Sequence, residues 1–176
     1  MPFDFPEIRT FRLLLREVNP SIVRQLFGQY PDAEISRLLG CRTGADWDFF
    51  EQRYRHFETF DKKLSYRNWL LIDARDGGLI GDCGFHNWWI GQHKAELGYG
   101  IWDAAYRGKG LMAEAMQEVI RIGFETMGLL QMEAFVNPQN EVSVYLLQKF
   151  GFKEEPKMSD TRTFALLRQD YTGANP

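Results

Sequence analysis

The spacing of apolar residues changes character along the chain. In "FRLLLREV" (11–18) a short apolar run is flanked by charge, which predicts a strand. From Pro20 onward Ile22, Val23, Leu26 and Phe27 recur at helical spacing, and Pro20 suits a helix start. Residues 32–39 and 46–60 read as two further helices. In the second, Trp47, Phe50, Tyr54 and Phe57 mark one face and Asp46 is the expected N-cap. The period then shortens. "NWLLIDARDGGLIGDCGFHNWWI" predicts a strand at 68–74, a turn at Asp76-Gly77-Gly78 and a strand at 79–89, joined as a hairpin. A third strand, 94–102, is interrupted by Gly98 and Gly100, which points to a bulge or to a ligand backbone lying close.

The helical period returns at 109–126, where Leu111, Met112, Ala115, Met116, Val119, Ile120 and Phe124 cover one broad face and Gly128 marks the stop. A strand at 129–136, a helix at 140–149 ended by Gly151, and strands near 152–155 and 161–168 complete the pattern. The order predicts an α+β fold with a mixed sheet in a single domain. The strand–helix–strand unit at 95–135 crosses over, so its two strands are expected to be parallel neighbours.

Composition narrows the chemistry. The 176 residues carry a formal net charge of −3, which argues against general nucleic-acid binding. Cys41 and Cys83 stand far apart with three scattered histidines, so two free thiols and no metal site are expected. "MPFDFPEIRT" has neither a basic nor an apolar leader region, and no apolar run suffices to span a bilayer. A cytoplasmic location and no membrane partner are the resulting expectations.

One stretch stands out against the acidic background. In "DAAYRGKGLMAEAM" (103–116), Arg107 and Lys109 alternate with Gly108 and Gly110 just ahead of a helix. The first helical N–H groups lack internal partners, the helix dipole adds positive potential, and glycine lets an anion approach the backbone. The segment therefore reads as a phosphate or pyrophosphate cradle. It is not a P-loop, because Gly110 rather than Ser or Thr follows Lys109. The dinucleotide fingerprint fits only loosely, since Ala113 replaces its last glycine and antiparallel strands precede it.

"RGKGLM" resembles the R/Q-x-x-G-x-G/A acetyl-CoA signature of the GNAT N-acetyltransferases, with Met112 departing from the final Gly or Ala. "AELGYGIWDAAYRGKGLMAEA", "NPQNEVSVYLLQKFGFKEE" and "TFRLLLREV" resemble three segments of the RimJ/RimL-type branch, in the same order and over about residues 9–168. The resemblance implies the GNAT fold: a mostly antiparallel sheet of about six to seven strands with splayed middle strands and about four helices. It implies acetyl-CoA as co-substrate, without a metal. The loop Arg107, Gly108, Lys109, Gly110, Leu111 and Met112 would hold its pyrophosphate, and the strand through Gly100, Ile101 and Trp102 would pair with pantetheine. Asn137 and Asn140 match the family's asparagines, although a pre-proline turn and a helix cap are equally good readings.

The implied reaction is direct attack by a primary amine, either a protein N-terminus or a small molecule. The ammonium must first lose its proton, so a general base is expected. Glu96 is the first candidate, ahead of Glu114 and His86. Ser143 matches the branch's serine and is a candidate partner for the leaving thiolate. The family's tyrosine acid falls on Leu147, with Tyr145 two residues away. Phe85, His86, Trp88 and Trp89, with Trp47, are the expected acceptor pocket. Two rivals stay open: a non-catalytic coenzyme A sensor and a nucleotide-binding module. The chain is expected to be a monomer or a homodimer.

Overall fold

The computed structural model describes residues 3–55, 64–156 and 160–173. Strand β1 (Glu7–Arg9) and β2 (Leu13–Val18) lead into helices α1 (Pro20–Gln29), α2 (Asp32–Leu39) and α3 (Gly44–Tyr54). Strands β3 (Leu64–Asp73), β4 (Leu79–Trp89) and β5 (Lys94–Ile101) follow, then α4 (Leu111–Glu125), β6 (Gln131–Val136), α5 (Glu141–Lys149), β7 (Lys153–Glu154) and β8 (Arg162–Leu167). All eight strands form one sheet in the order β1-β2-β3-β4-β5-β6-β8-β7. The pair β5–β6 is parallel and the other pairs are antiparallel.

The apolar runs divide their residues between two cores. In β3, Trp69 and Leu71 pack beneath α4, while Leu70 and Ile72 pack beneath α1–α3. A central strand covered on both faces needs apolar residues at every position, which is why "NWLLID" shows no alternation. On β5 the outcome differs. Ala95, Leu97 and Tyr99 belong with the α4 core, whereas Glu96, Gly98 and Gly100 fall on the opposite face of the alternating strand. That opposite face is the one with room for a cavity.

Several boundaries depart from the sequence reading. The sheet has eight strands and the described residues five helices, against about six to seven and about four. Strand β1 went unread because three residues carry no period. It is secured by pairing with β2. Helix α3 starts at Gly44, because Thr43 and Asp46 form a reciprocal capping box with Asp46 at the third helical position. The expected extension of that helix over 56–60 lies outside the described residues. Asn140, Gly128 and Gly151 occupy the end positions expected of them, the two glycines with φ of 67° and 83°.

The glycines of β5 do not bulge that strand. The register shift falls on the neighbouring β4, where Phe85 pairs Leu97 and Asn87 pairs Glu96, leaving His86 as the extra residue. A Cβ at Gly98 would fall inside the His86 imidazole, so the glycine makes room for the bulged ring.

Candidate active site

Strands β5 and β6 pair only at Lys94–Gln131, Ala95–Met132 and Glu96–Glu133. Beyond Glu96, β5 runs on to Ile101 and β6 to Val136 without pairing each other. The sheet therefore opens in its middle, with the α4 N-terminus following one strand and the turn into α5 following the other. Backbone groups on the edges of such a split can take an extended ligand as an added strand.

The glycine-rich loop sits beside this opening. Gly108 and Gly110 have φ of 70° and 75°, a left-handed conformation that glycine alone adopts without strain. Gly110 is the N-cap of α4 and offers no side-chain acceptor, so the amides of Leu111, Met112 and Ala113 begin the helix without internal partners. Lys109 lies over the Tyr106 ring at 5.6 Å. The Arg107 side chain turns back, donating to the carbonyls of Ile101 at 3.1 Å and Trp102 at 3.4 Å.

Glu114, one turn into α4, is committed elsewhere. It accepts from the Thr10 hydroxyl and the Arg12 amide, both at 2.6 Å, and from Arg12 Nε at 2.7 Å. Burial pushes its carboxyl up, but those donors outweigh it and hold the pKa below the ordinary glutamate value. Arg12 also reaches the Lys109 carbonyl at 2.7 Å, so this latch ties the β1–β2 turn to the loop.

On the far side of the opening, Asn137 accepts from the Gln139 amide at 2.9 Å within the turn, and Asn140 caps α5 by accepting from the Ser143 amide at 3.1 Å. Tyr99 reaches across from β5 and donates to the Ser143 carbonyl at 3.4 Å. Burial raises the Tyr99 phenol to about 12 despite that bond. Leu147 is fully buried and Tyr145 is largely exposed.

On the face opposite α4 lies a cavity of 360 Å³ walled by Arg53, Tyr54, Tyr66, Asn68, His86, Asn87 and Glu96. Glu96 thus belongs both to the last rung of the parallel pairing and to this cavity. Its carboxylate accepts from Asn87 Nδ2 at 2.6 Å. Beneath the cavity is Asp82, 1% exposed, which accepts from Asn68 Nδ2 at 2.7 Å and from the Trp102 indole at 3.1 Å. Arg53 and His86 each approach it at 3.5 Å. Burial alone would push the Asp82 carboxyl up, yet His86, Arg53 and Asn68 hold it below the ordinary aspartate value. Tyr54 also bonds Asn68.

A profile described as an acetyltransferase (GNAT) domain matches residues 12–153. The chain belongs to the GNAT acetyltransferase family. It is 31% identical over 154 residues to an uncharacterized N-acetyltransferase, YoaA, of Bacillus subtilis, covering 86% of this chain and 85% of that protein. It is also 32% identical over 112 residues to the [ribosomal protein uS5]-alanine N-acetyltransferase of Escherichia coli, covering 63% of this chain and 57% of that one. The fold matches the ribosomal-protein-S5-alanine acetyltransferase structure from Vibrio fischeri at a TM-score of 0.63 and 20% identity, over 95% and 99% of the two chains. Within the GNAT superfamily this places the chain in the RimJ/RimL-like branch, as an acyltransferase that moves acetyl groups to amines.

GNAT enzymes use acetyl-CoA, and the residues present fit that ligand. The open edges of β5 and β6 and the left-handed Gly108 and Gly110 provide a backbone slot that ends at an uncapped helix N-terminus. Among the described residues no cluster of His, Cys, Asp or Glu could hold a metal ion. No helix among them is long and apolar enough to cross a membrane, and Cys41 and Cys83 are free thiols.

Not every expected residue joins the site. The Trp102 amide donates to the Ile80 carbonyl at 2.9 Å and its carbonyl takes Arg107, so its backbone is spent. Its indole packs against Phe49 in a tilted arrangement with centroids 4.1 Å apart, on the acceptor side instead. Phe85 is fully buried in the α4 core against Trp69, because it stands on the other face from the His86 cavity. Trp88 also packs on the α4 core, Trp89 lies under Lys94, and Trp47 packs between Phe27 and Phe50. Of the expected pocket, His86 alone reaches the cavity with Glu96. Arg53, Asn68 and Asp82 went unread, and Tyr54 was read only as part of the apolar face of α3. The one signal for them was Asp82 itself, an acid inside the otherwise apolar "LIGDCGF".

Proposed function

We propose that this protein transfers acetyl from acetyl-CoA to the α-amine of a polypeptide N-terminus. The observation that carries the reading is the position of Glu96, at the fork of β5 and β6 and in the wall of a polar cavity on the acceptor face. An α-ammonium has an ordinary pKa near 8 and must be deprotonated before its nitrogen can attack a carbonyl carbon. Glu96 accepts that proton, with Asn87 fixing one carboxylate oxygen and leaving the other for the amine or an intervening water. Bound acetyl-CoA would supply the thioester. The backbone slot from Gly98 to Ile101 aligns it, and the amides of Gly108 to Met112 take the pyrophosphate. As the new C–N bond forms the C–S bond breaks. The thiolate leaves readily, because thiol pKa values lie near 8.5. That suits a site whose α5 tyrosine position is the buried Leu147.

Similarity to the uS5-alanine N-acetyltransferase supports a peptide acceptor over a small amine. The test is steady-state acetylation of peptides, polyamines and amino-acid amines by the purified chain, with Glu96→Gln beside it. The variant is expected to lose about 100-fold or more in kcat while its Kd for coenzyme A stays the same. Turnover of polyamines but of no peptide would overturn the acceptor. Tight coenzyme A binding with no turnover of any amine would mark the protein as a sensor.

A further inference from the structure

We infer that Arg53 reads the carbonyl group next to the acceptor amine, so that the cavity selects α-amino carboxamides, the chemistry of a peptide N-terminus. This rests on the acetyl-transfer reading above and adds a specificity residue to it.

Arg53 comes from the last turn of α3 and stands 27% exposed in the same cavity wall as Glu96. Its Nη2 is anchored, 2.6 Å and 2.9 Å from the two ring nitrogens of His86 and 3.5 Å from Asp82. The Phe49 ring lies 5.6 Å from its central carbon and backs the guanidinium plane. Nε and Nη1 have no partner among the described residues. The guanidinium is therefore held in place while its other donors remain available to a ligand.

Charge balance then decides between ligand classes. Two carboxylates, Glu96 in the wall of the cavity and Asp82 beneath it, stand against one guanidinium, Arg53. The sum is one negative charge, which one ammonium neutralises. A zwitterionic amino acid brings a second anion that leaves the excess in place. A polyamine brings a second cation, which meets Arg53. An ammonium followed by a neutral carbonyl satisfies both walls: the nitrogen faces Glu96 and the carbonyl oxygen accepts from Arg53. Hydrogen bonds to a charged donor are the stronger kind, so the carbonyl contributes to discrimination as well as fit.

The experiment compares kcat/KM for alaninamide, isopropylamine and alanine in the unchanged protein, Arg53→Gln and Arg53→Lys, with thermal melting to confirm folding. The unchanged protein is expected to prefer alaninamide to both others. The alaninamide-to-isopropylamine ratio should fall about 10- to 100-fold in Arg53→Gln. Arg53→Lys, which keeps the charge but not the fork, should recover only part of that ratio. A ratio unchanged by either variant would show that Arg53 only braces His86 and would overturn the assignment. So would a preference for alanine or isopropylamine in the unchanged protein. If the unchanged protein acetylates no amine at all, the acetyl-transfer reading falls and Arg53's role falls with it. The earlier outcomes strike Arg53 alone.

Discussion

Gly98 and His86 compete for the same patch of the sheet, and only one of them can carry a side chain there. The bulge at His86 swings its ring over the bare β5 backbone. Gly98→Ala is therefore expected to push the imidazole off Arg53 and Asp82. The cost in stability should be about 1–3 kcal/mol from overpacking, with a larger loss in kcat/KM than the melting shift explains. Urea denaturation and steady-state kinetics on one preparation would show both. This part of the site was legible only in fragments. Glu96 was legible because it precedes Gly98 and Gly100 on the strand where the family resemblance puts the thioester. His86 was read as a candidate without its neighbours. Arg53 gave no signal, since an arginine on a helix is ordinarily a solvated one.

At the scale of elements, the α4 N-terminus and its latch form a working unit. Gly110 holds a φ of 75° while a Cβ there would meet only ordinary contact with Arg12. The penalty for Gly110→Ala is thus conformational, about 1–2 kcal/mol, and it falls on the loop proposed to bind pyrophosphate. Calorimetry should show weaker coenzyme A binding together with a lower melting temperature. The glycines, cations and helix start of this unit were all readable, because backbone conformation and helix ends are written in consecutive residues. The latch from Thr10 and Arg12 to Glu114 was not, because more than a hundred residues separate its partners.

For the whole molecule, depressed carboxyl groups set how it meets acid. Arg75 and its amide hold the Asp73 carboxyl at about 2 at the β3–β4 turn, while Asp82 and Glu114 also lie below their ordinary values. A carboxyl lowered on folding stabilises the native state above its unfolded pKa, and that contribution disappears as pH falls through the folded one. The melting temperature should therefore hold from neutral pH down to about 4 and decline steeply toward about 2. Asp73→Asn should flatten the decline; an equally steep one would remove Asp73 from the account. By itself the sequence determined the order and type of every element after β1, the parallel β5–β6 pair, the anion cradle and the family resemblance, because each is encoded in local period or a contiguous motif. The tertiary structure alone decided how far β5 and β6 stay paired, which face of β4 carries Phe85 and which His86, and that Arg53, Asn68, Asp82 and Trp102 meet under one cavity. A one-residue bulge inverts the facing of every residue after it, and a buried polar network joins positions from β3, β4, a helix and the residue that follows β5.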